Sequence, residues 1–204
     1  MIINKKKFIY LISPNKIKKS FYNDLSEILK SNRITFFQLR LKGLSFERRL
    51  NIGKKIKKIC KKYKTYFLIN DDVLLAKKLD CDGCHLGQKD MPLFKAKKLL
   101  GKKIIGITCH NSIRLAKLAI KNNADYLAFG AFNISKTKKT KYKAKLSLLK
   151  KIKKITKTPI VAIGGINSEN YKKLLLNKAN FLAISGYIWN NKKIKPIDAI
   201  KKLI

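Results

Sequence analysis

The sequence has few acidic residues. It contains 11 Asp and Glu against 49 Lys and Arg in 204 residues, which gives a formal net charge of +38. Five of the eleven carboxylates nevertheless lie between Asp71 and Asp90. Magnesium is usually bound through one or two carboxylates, while water and substrate phosphate complete its coordination. The clustering therefore predicts a Mg²⁺ site that serves a pyrophosphate substrate.

Long hydrophobic runs and a dense set of cysteines are also missing. No apolar run approaches the roughly 20 residues needed to span a bilayer. The apolar segment 8–12 follows three lysines but is too short for the core of a signal peptide. Four cysteines are too few for a disulfide scaffold at this size. We expect a cytoplasmic protein with one domain over residues 1–204 and no membrane partner.

Arginine is scarce among the basic residues, because 44 of the 49 are lysine. A strongly basic chain is typical of nucleic-acid binders, but these favour Arg for its bidentate fork. The lysines here are spread along almost every predicted helix. This pattern indicates a general compositional bias, so we expect no specific nucleic-acid partner. Nucleic-acid binding is kept as a remote alternative.

Short apolar runs alternate with lysine-rich amphipathic stretches along the whole chain. The candidate strands are Phe8–Ile12, Thr35–Leu39, Tyr66–Ile69, Gly83–Leu86, Ile104–Thr108, Tyr126–Phe129, Ile160–Ile163 and Phe181–Ile184. Eight strands alternating with helices in about 200 residues predict an α/β fold, a single (β/α)₈ TIM barrel. An open doubly wound sheet is the alternative. Similar segments at 124–130, 179–184 and 81–87, each with glycine at or just past its end, favour closure.

Active sites of such barrels lie at the C-terminal ends of the strands. After the second strand, Gln38, Arg40 and Lys42 alternate with apolar residues, so their side chains point to one side. An amide and two cations suit a polyanionic ligand. A buried ion pair or a solvated edge is the structural alternative.

Carboxylates follow the next two strands. Asn70 and Asp71 come after the third strand and Asp90 after the fourth, and loops of neighbouring parallel strands can jointly hold one metal ion. We expect Asp72 to begin the next helix, where a carboxylate complements the helix dipole. Asp90, just before Met91 and Pro92, is also predicted to be an N-cap, a role compatible with metal binding.

Three later loops are suited to anions. Residues 133–140 mix hydroxyl and ammonium groups, although a solvated lysine-rich loop is the simpler interpretation. Gly164 and Gly165 follow the seventh strand, and Ser185 and Gly186 follow the eighth. Their backbone N–H groups can approach a ligand closely. Together the last two loops match the phosphate site found in many barrels.

Six motifs in this order resemble the thiamine phosphate synthase family. They are the segments 38–42, 69–71, 82–90, 106–110, 124–130 and 161–166, and the resemblance covers nearly the entire chain. It implies a transferase that joins hydroxymethylpyrimidine pyrophosphate to thiazole phosphate and releases pyrophosphate. Mg²⁺ is the implied cofactor.

The same resemblance implies roles for individual residues. Asp71 and Asp90 would hold Mg²⁺, and Arg40 and Lys138 would be catalytic. The implied ligands of the pyrimidine pyrophosphate are Gln38, Arg40, Lys42, Asn70, Thr108 and Lys138. The implied ligands of the thiazole phosphate are Ser135, Lys136, Thr137, Gly165, Ser185 and Gly186.

Two other site chemistries compete with this one. A related thiazole tautomerase would use a histidine, for which His110 is placed, but it needs neither Asp71 nor Asp90. Cys81 and Cys84, with Cys109 and His110, could form a zinc site. Their irregular spacing and apolar surroundings favour buried cysteines instead. His85 is expected to be a core residue at a strand end.

Overall fold

The computed structural model describes residues 7–134 and 141–203, and these form eight strands and nine helices. The strands are β1 (Ile9–Ile12), β2 (Ile34–Leu39), β3 (Tyr66–Asn70), β4 (Gly83–Leu86), β5 (Ile104–His110), β6 (Tyr126–Gly130), β7 (Ile160–Ile163) and β8 (Phe181–Ile184). Each consists of a short apolar run, as expected for strands buried on both faces of a parallel sheet.

In the described residues, one helix follows each of the first seven strands, two follow β8, and together they cover the outside of the sheet. They are α1 (Phe21–Lys30), α2 (Phe46–Lys62), α3 (Val73–Leu79), α4 (Leu93–Leu100), α5 (Ile113–Lys121), α6 (Leu146–Ile155), α7 (Tyr171–Leu176), α8 (Gly186–Trp189) and α9 (Pro196–Lys201). The longer ones carry an apolar face toward the sheet and lysines toward solvent, which is the arrangement of a surface helix. None of the helices in the described residues combines the length and apolarity needed to cross a membrane.

The sheet is a closed, all-parallel barrel. Each strand pairs with the next in sequence, and β1 also pairs with β8, where Tyr10 lies opposite Ala183. The predicted (β/α)₈ barrel is therefore confirmed, and the open doubly wound sheet is excluded. Closure leaves no unpaired edge among the eight described strands and gathers their ends at one mouth.

The core has two layers because strand side chains alternate between the two faces. A small inner cluster fills the barrel and includes Tyr10, Phe36, Leu68, Tyr126 and Phe181. A larger outer cluster lies between the strands and the helices. Two positions further along a strand, the next side chain on the same inner face lies closer to the strand end and reaches the mouth of the barrel. This alternation selects the side chains that can form a site.

Candidate active site

The turn after β3 holds Asp71 in a left-handed conformation, with φ of 65°. Its backbone N–H donates to the carbonyl of His85 on the neighbouring strand at 2.8 Å, and the N–H of Asp72 donates to the carbonyl of Asn70 at 2.8 Å. Asp is one of the few non-glycine residues that tolerate this conformation. The backbone thus fixes the direction of the Asp71 carboxylate.

The carboxylates of Asp71 and Asp90 meet at the barrel mouth. The pKa of Asp71 is raised to about 6, first because the group is partly buried and then because of its hydrogen bond with, and repulsion by, Asp90. Lys42 and Arg40 lie close enough to oppose this increase. The structure therefore brings two carboxylates and two cations together from the ends of three strands.

Asp90 is not the N-cap of α4, so that prediction is wrong. Pro92 occupies the N-cap position, and no side chain caps the helix. The Asp90 carboxylate instead accepts a hydrogen bond from the backbone N–H of Gly87 at 2.6 Å, which closes the turn after β4. Asp72 does cap α3, as expected, because its Oδ1 accepts from the N–H of Leu75 at 2.9 Å.

The donor set at the mouth suits magnesium better than zinc. In the described residues, no group of three or more His, Cys, Asp and Glu side chains is arranged to hold a metal. Two adjacent carboxylates fit an ion that keeps its other positions for water and phosphate oxygens. The thiols at 81, 84 and 109 are buried, and burial raises the pKa of Cys81 to about 11 and that of Cys109 to about 12.

Residues at the end of β2 and just after it border the same site. Gln38 is buried and, from its place in the strand alternation, faces the barrel interior. The backbone N–H of Arg40 donates to the Ser13 hydroxyl at 2.9 Å, and its guanidinium Nη1 donates to Asn15 at 3.3 Å. An open cavity of about 490 Å³ is lined by Lys42 and Asp71 among others.

Thr108 and His85 form a polar pair inside the mouth. The Oγ1 of Thr108 lies 2.8 Å from Nε2 of His85, and Nδ1 of His85 lies 2.9 Å from the hydroxyl of Tyr126. Both His85 and Thr108 are only partly buried. Hence His85 is not simply a core residue, and the sequence interpretation missed it. The period-two alternation of side chains that was used for Gln38 would have identified His85 as well. His85 lies two positions after Gly83 and so faces the same inner side of β4.

The loops after β6 and β7 are joined by their backbones. The N–H of Asn133 donates to the carbonyl of Gly164 at 3.2 Å. Gly165 has φ of 55°, and a Cβ there would lie 2.2 Å from the carbonyl oxygen of Ile134. Glycine is therefore required for this close approach. The predicted site residues Ser135, Lys136, Thr137 and Lys138 lie outside the described residues.

Ser13 connects the strand ends on the opposite side of the mouth, and the sequence interpretation missed it too. Its hydroxyl accepts from the N–H of Arg40, and its carbonyl accepts from the Ser185 hydroxyl at 3.1 Å. Gly186 then begins α8. The predicted residues Arg40 and Ser185 are thus held by one buried serine at the end of β1.

His110, the histidine that a tautomerase would use, has a different environment. Its ring stacks on Tyr142 with the ring centroids 3.9 Å apart, and its φ is 53°. The segment that carries Tyr142 is tied back by backbone hydrogen bonds between residues 131 and 142 and between 131 and 144. His110 therefore packs against Tyr142 in the described part of the segment between β6 and α6.

Known proteins resemble this chain over nearly its full length. A sequence model of the family described as thiamine monophosphate synthase matches residues 9–188. A thiamine-phosphate synthase of Pelagibacter ubique is 70% identical over 199 residues, covering 97% of this chain and 96% of that protein. One from Erythrobacter litoralis is 37% identical over 201 residues, covering 96% and 94%.

A solved structure gives the same result. The thiamine phosphate pyrophosphorylase of Pyrococcus furiosus superposes with a TM-score of 0.86 at 30% identity, covering 98% of this chain and 94% of that one. The family match, the identities and the barrel agree with the resemblance drawn from the six motifs. They also confirm the expected enzyme class, because these relatives are transferases. The chain belongs to the thiamine monophosphate synthase family.

Proposed function

We propose that the chain joins hydroxymethylpyrimidine pyrophosphate to thiazole phosphate and forms thiamine phosphate and pyrophosphate. The observation that carries this proposal is the meeting of Asp71 and Asp90 beside Arg40 and Lys42 at the barrel mouth. Two carboxylates can hold Mg²⁺, and the adjacent cations can hold the pyrophosphate that shares this ion. Family membership supplies the two substrates.

The proposed chemistry needs charge stabilisation and positioning. The bond between the pyrimidine methylene carbon and the pyrophosphate oxygen breaks, and its electron pair leaves with pyrophosphate. The thiazole nitrogen then donates its pair to that carbon. Mg²⁺ would supply positive charge to the departing pyrophosphate oxygens. Arg40 and Lys42 bind the same anion, and the barrel mouth aligns the two substrates.

The remaining assignments belong to this proposal. Gln38, Asn70 and Thr108 would contact the pyrimidine pyrophosphate, and support comes from their inner-face positions near the ends of β2, β3 and β5. Gly165, Ser185 and Gly186 would hold the thiazole phosphate. Lys138 and the hydroxyl-containing segment 135–137 would complete the two sites.

A tautomerase is the weaker candidate. It handles no pyrophosphate, so it gives no reason for the pairing of Asp71 with Asp90 in a chain with so few carboxylates. The ring of His110 is stacked on Tyr142. The thiamine-phosphate synthase of Pelagibacter ubique, which is 70% identical to this chain, points the same way.

A coupling assay tests the proposal. Purified protein is mixed with both substrates, with and without Mg²⁺, and thiamine phosphate and pyrophosphate are quantified. Equal amounts of the two products, formed only with Mg²⁺, are expected. Absence of product while thiazole phosphate still binds would contradict the synthase assignment.

The role of Arg40 is tested by Arg40→Ala against Arg48→Ala, which removes an exposed arginine on α2. We expect Arg40→Ala to weaken pyrimidine pyrophosphate binding about 10- to 100-fold, as for a charge-assisted contact, and thiazole phosphate binding less than twofold. Arg48→Ala should change neither. Calorimetric titration with each substrate separates these results, and equal losses for both ligands would remove Arg40 from the pyrophosphate site.

A further inference from the structure

A chain of hydrogen bonds runs from the closed interior of the barrel to its mouth. The hydroxyl of Tyr10 lies 2.8 Å from that of Tyr126, which lies 2.9 Å from Nδ1 of His85, and Nε2 of His85 lies 2.8 Å from the hydroxyl of Thr108. The two tyrosines are almost fully buried, whereas His85 and Thr108 are half-buried. The chain therefore has a dry end and an end that a ligand can reach.

The buried end of this hydrogen-bond network determines the direction of each hydrogen bond in it. Among the residues that the structure describes, Tyr126 is the hydrogen-bond partner found for the Tyr10 hydroxyl. If Tyr126 donated to Tyr10, the proton of Tyr10 would be buried without an acceptor. If Tyr126 accepted from both Tyr10 and His85, its own proton would be stranded in the same way. A buried donor without a partner is strongly unfavourable.

One arrangement leaves no hydroxyl proton stranded. Tyr10 donates to Tyr126, Tyr126 donates to Nδ1 of His85, and Nε2–H of His85 donates to Thr108. Burial keeps both phenols protonated, because it raises the pKa of each tyrosine well above its usual value. Thr108 then accepts from the histidine, which leaves its own hydroxyl proton available for a ligand at the mouth.

We propose that His85, oriented by Tyr126, acts as a positioning residue that makes Thr108 a hydrogen-bond donor to the substrate. This inference rests on the proposed function, which places the pyrimidine next to Thr108. A donor at this point selects a ring nitrogen with a free electron pair and disfavours an amino or C–H group. Tyr126 thus contributes to substrate choice without touching the substrate.

The geometry of Tyr126 supports this role. Its ring lies directly over Gly106, where a Cβ would come within 1.8 Å of it. The Tyr126 ring is also stacked on His85 with an interplanar angle of 11°. The position of the Tyr126 ring and that of its hydroxyl are therefore both fixed. The hydrogen bond between this hydroxyl and Nδ1 of His85 is thus a stable feature of the barrel interior.

The tautomer of His85 can be measured on the wild-type protein without ligand. The chain has two histidines, so nitrogen-15 NMR of histidine-labelled protein gives two ring systems, and His110→Gln assigns them. We expect His85 to carry its proton on Nε2. A proton on Nδ1 would overturn the proposal, whatever the outcome of the coupling assay.

Two conservative variants form a matched pair. Tyr126→Phe removes the donor to Nδ1, whereas Tyr10→Phe removes a hydroxyl one step further and leaves that donor in place. We expect Tyr126→Phe to populate the other tautomer and to weaken pyrimidine pyrophosphate binding about 3- to 10-fold, a hydrogen bond's contribution. Tyr10→Phe should keep the wild-type tautomer and change binding less than twofold. Equal effects of both variants would contradict the proposal.

Substrate analogues separate this inference from the proposed function. In two pyridine analogues of the pyrimidine pyrophosphate, one or the other ring nitrogen is replaced by C–H. We expect one of the two analogues to bind the wild-type protein about 5- to 10-fold more weakly than the pyrimidine pyrophosphate does. In Thr108→Val, this analogue and the pyrimidine pyrophosphate should bind equally well. Equal binding of all three ligands by wild type would refute the donor role. Failure of the pyrimidine itself to bind would refute the proposed function instead.

Discussion

A single aspartate shows how local backbone and charge combine in this site. Asp71 adopts a left-handed conformation that few residues tolerate, and its carboxyl meets a second carboxyl in a chain with only eleven acidic residues. Its pKa of about 6 reflects partial burial first and Asp90 second. Such a site is unfavourable for two negative charges until a cation binds. Lys42 and Arg40 offset this repulsion in part, and the proposed Mg²⁺ would offset it further.

This leads to a prediction for stability against pH. Because the folded-state pKa of Asp71 exceeds its unfolded value, its contribution to folding is complete below about pH 4 and is lost as pH rises through about 6. Without Mg²⁺, Asp71→Asn should be more stable than wild type by about 1 kcal/mol at pH 8, a figure discounted for partial exposure, and should gain little at pH 4. Urea unfolding at both pH values measures this.

The control for that experiment is Glu27→Gln, an exposed position on α1. It should show no comparable gain at pH 8. Adding Mg²⁺ should stabilise wild type and leave Asp71→Asn unchanged, because ligand binding to the folded state adds to its stability. Stabilisation of both proteins by Mg²⁺ would place the ion elsewhere.

Glycine at 106 gives a second prediction at this scale. Gly106→Ala places a methyl group against the Tyr126 ring, which is held by hydrogen bonds to Tyr10 and His85. We expect a loss of about 2–3 kcal/mol in the free energy of unfolding, typical of overpacking. In Gly53→Ala on α2, the contact is the movable end of Leu79, and alanine favours the helix. That variant should lose less than about 1 kcal/mol, and a similar loss in both would show that the Tyr126 ring can move.

At the scale of elements, helices and loops position the strand ends. Asp72 caps α3 with one carboxylate oxygen and pairs with Arg49 of α2 through the other at 2.8 Å. The ion pair thereby links two helices on either side of the turn that carries Asp71. In the described residues, Nε of Arg49 is the buried side-chain polar atom without a hydrogen-bond partner. The ion pair with Asp72 therefore has to offset the cost of burying the Arg49 charge.

Removing Asp72 should therefore cost more than removing a simple cap. We expect Asp72→Ala to lower the free energy of unfolding by about 2 kcal/mol, and Asp72→Asn by about half of that, because Asn keeps the capping oxygen. Ser112→Ala, which removes only the cap of α5, should cost about 1 kcal/mol. Chemical denaturation of the three variants checks this ranking. Equal costs for Asp72→Ala and Ser112→Ala would show that the ion pair adds nothing.

At the scale of the whole molecule, barrel closure and net charge act separately. Closure brings the ends of β2, β3, β4 and β5 together at one mouth, whereas the lysines of the helices face solvent. A net charge of +38 produces self-repulsion that salt screens. The surface charge therefore affects stability and non-specific binding more than the chemistry at the mouth.

A triple substitution on α2 tests this separation. Lys54, Lys58 and Lys61 are exposed and spaced four and three residues apart, so neighbouring members repel each other. Changing all three to Gln should raise stability by about 0.5–1 kcal/mol at low salt and by much less in 1 M NaCl. The kcat/KM should stay within about twofold of wild type. A collapse of activity would show that the surface lysines take part in function.

Most of the architecture was predictable because hydrophobic periodicity is local. All eight strands were placed within one or two residues, and the largest difference is β5, which extends to His110 rather than ending at Thr108. That extension includes a register irregularity between Thr108 and His110, which no periodicity in the sequence indicates. The family followed from motifs at the strand ends. The single domain over residues 1–204 remains a prediction.

The amino-acid sequence alone determined the order of strands and helices, the family, and the positions of the carboxylates and glycines. Those features depend on neighbours within a few residues. Only the tertiary structure decided that Asp90 turns back to Gly87, that Ser13 joins Arg40 to Ser185, and that His85 bonds Thr108. Tyr10 and Tyr126 are 116 residues apart, yet their hydroxyls meet inside the barrel. Such partners depend on strand register and closure, which arise when the whole sheet packs.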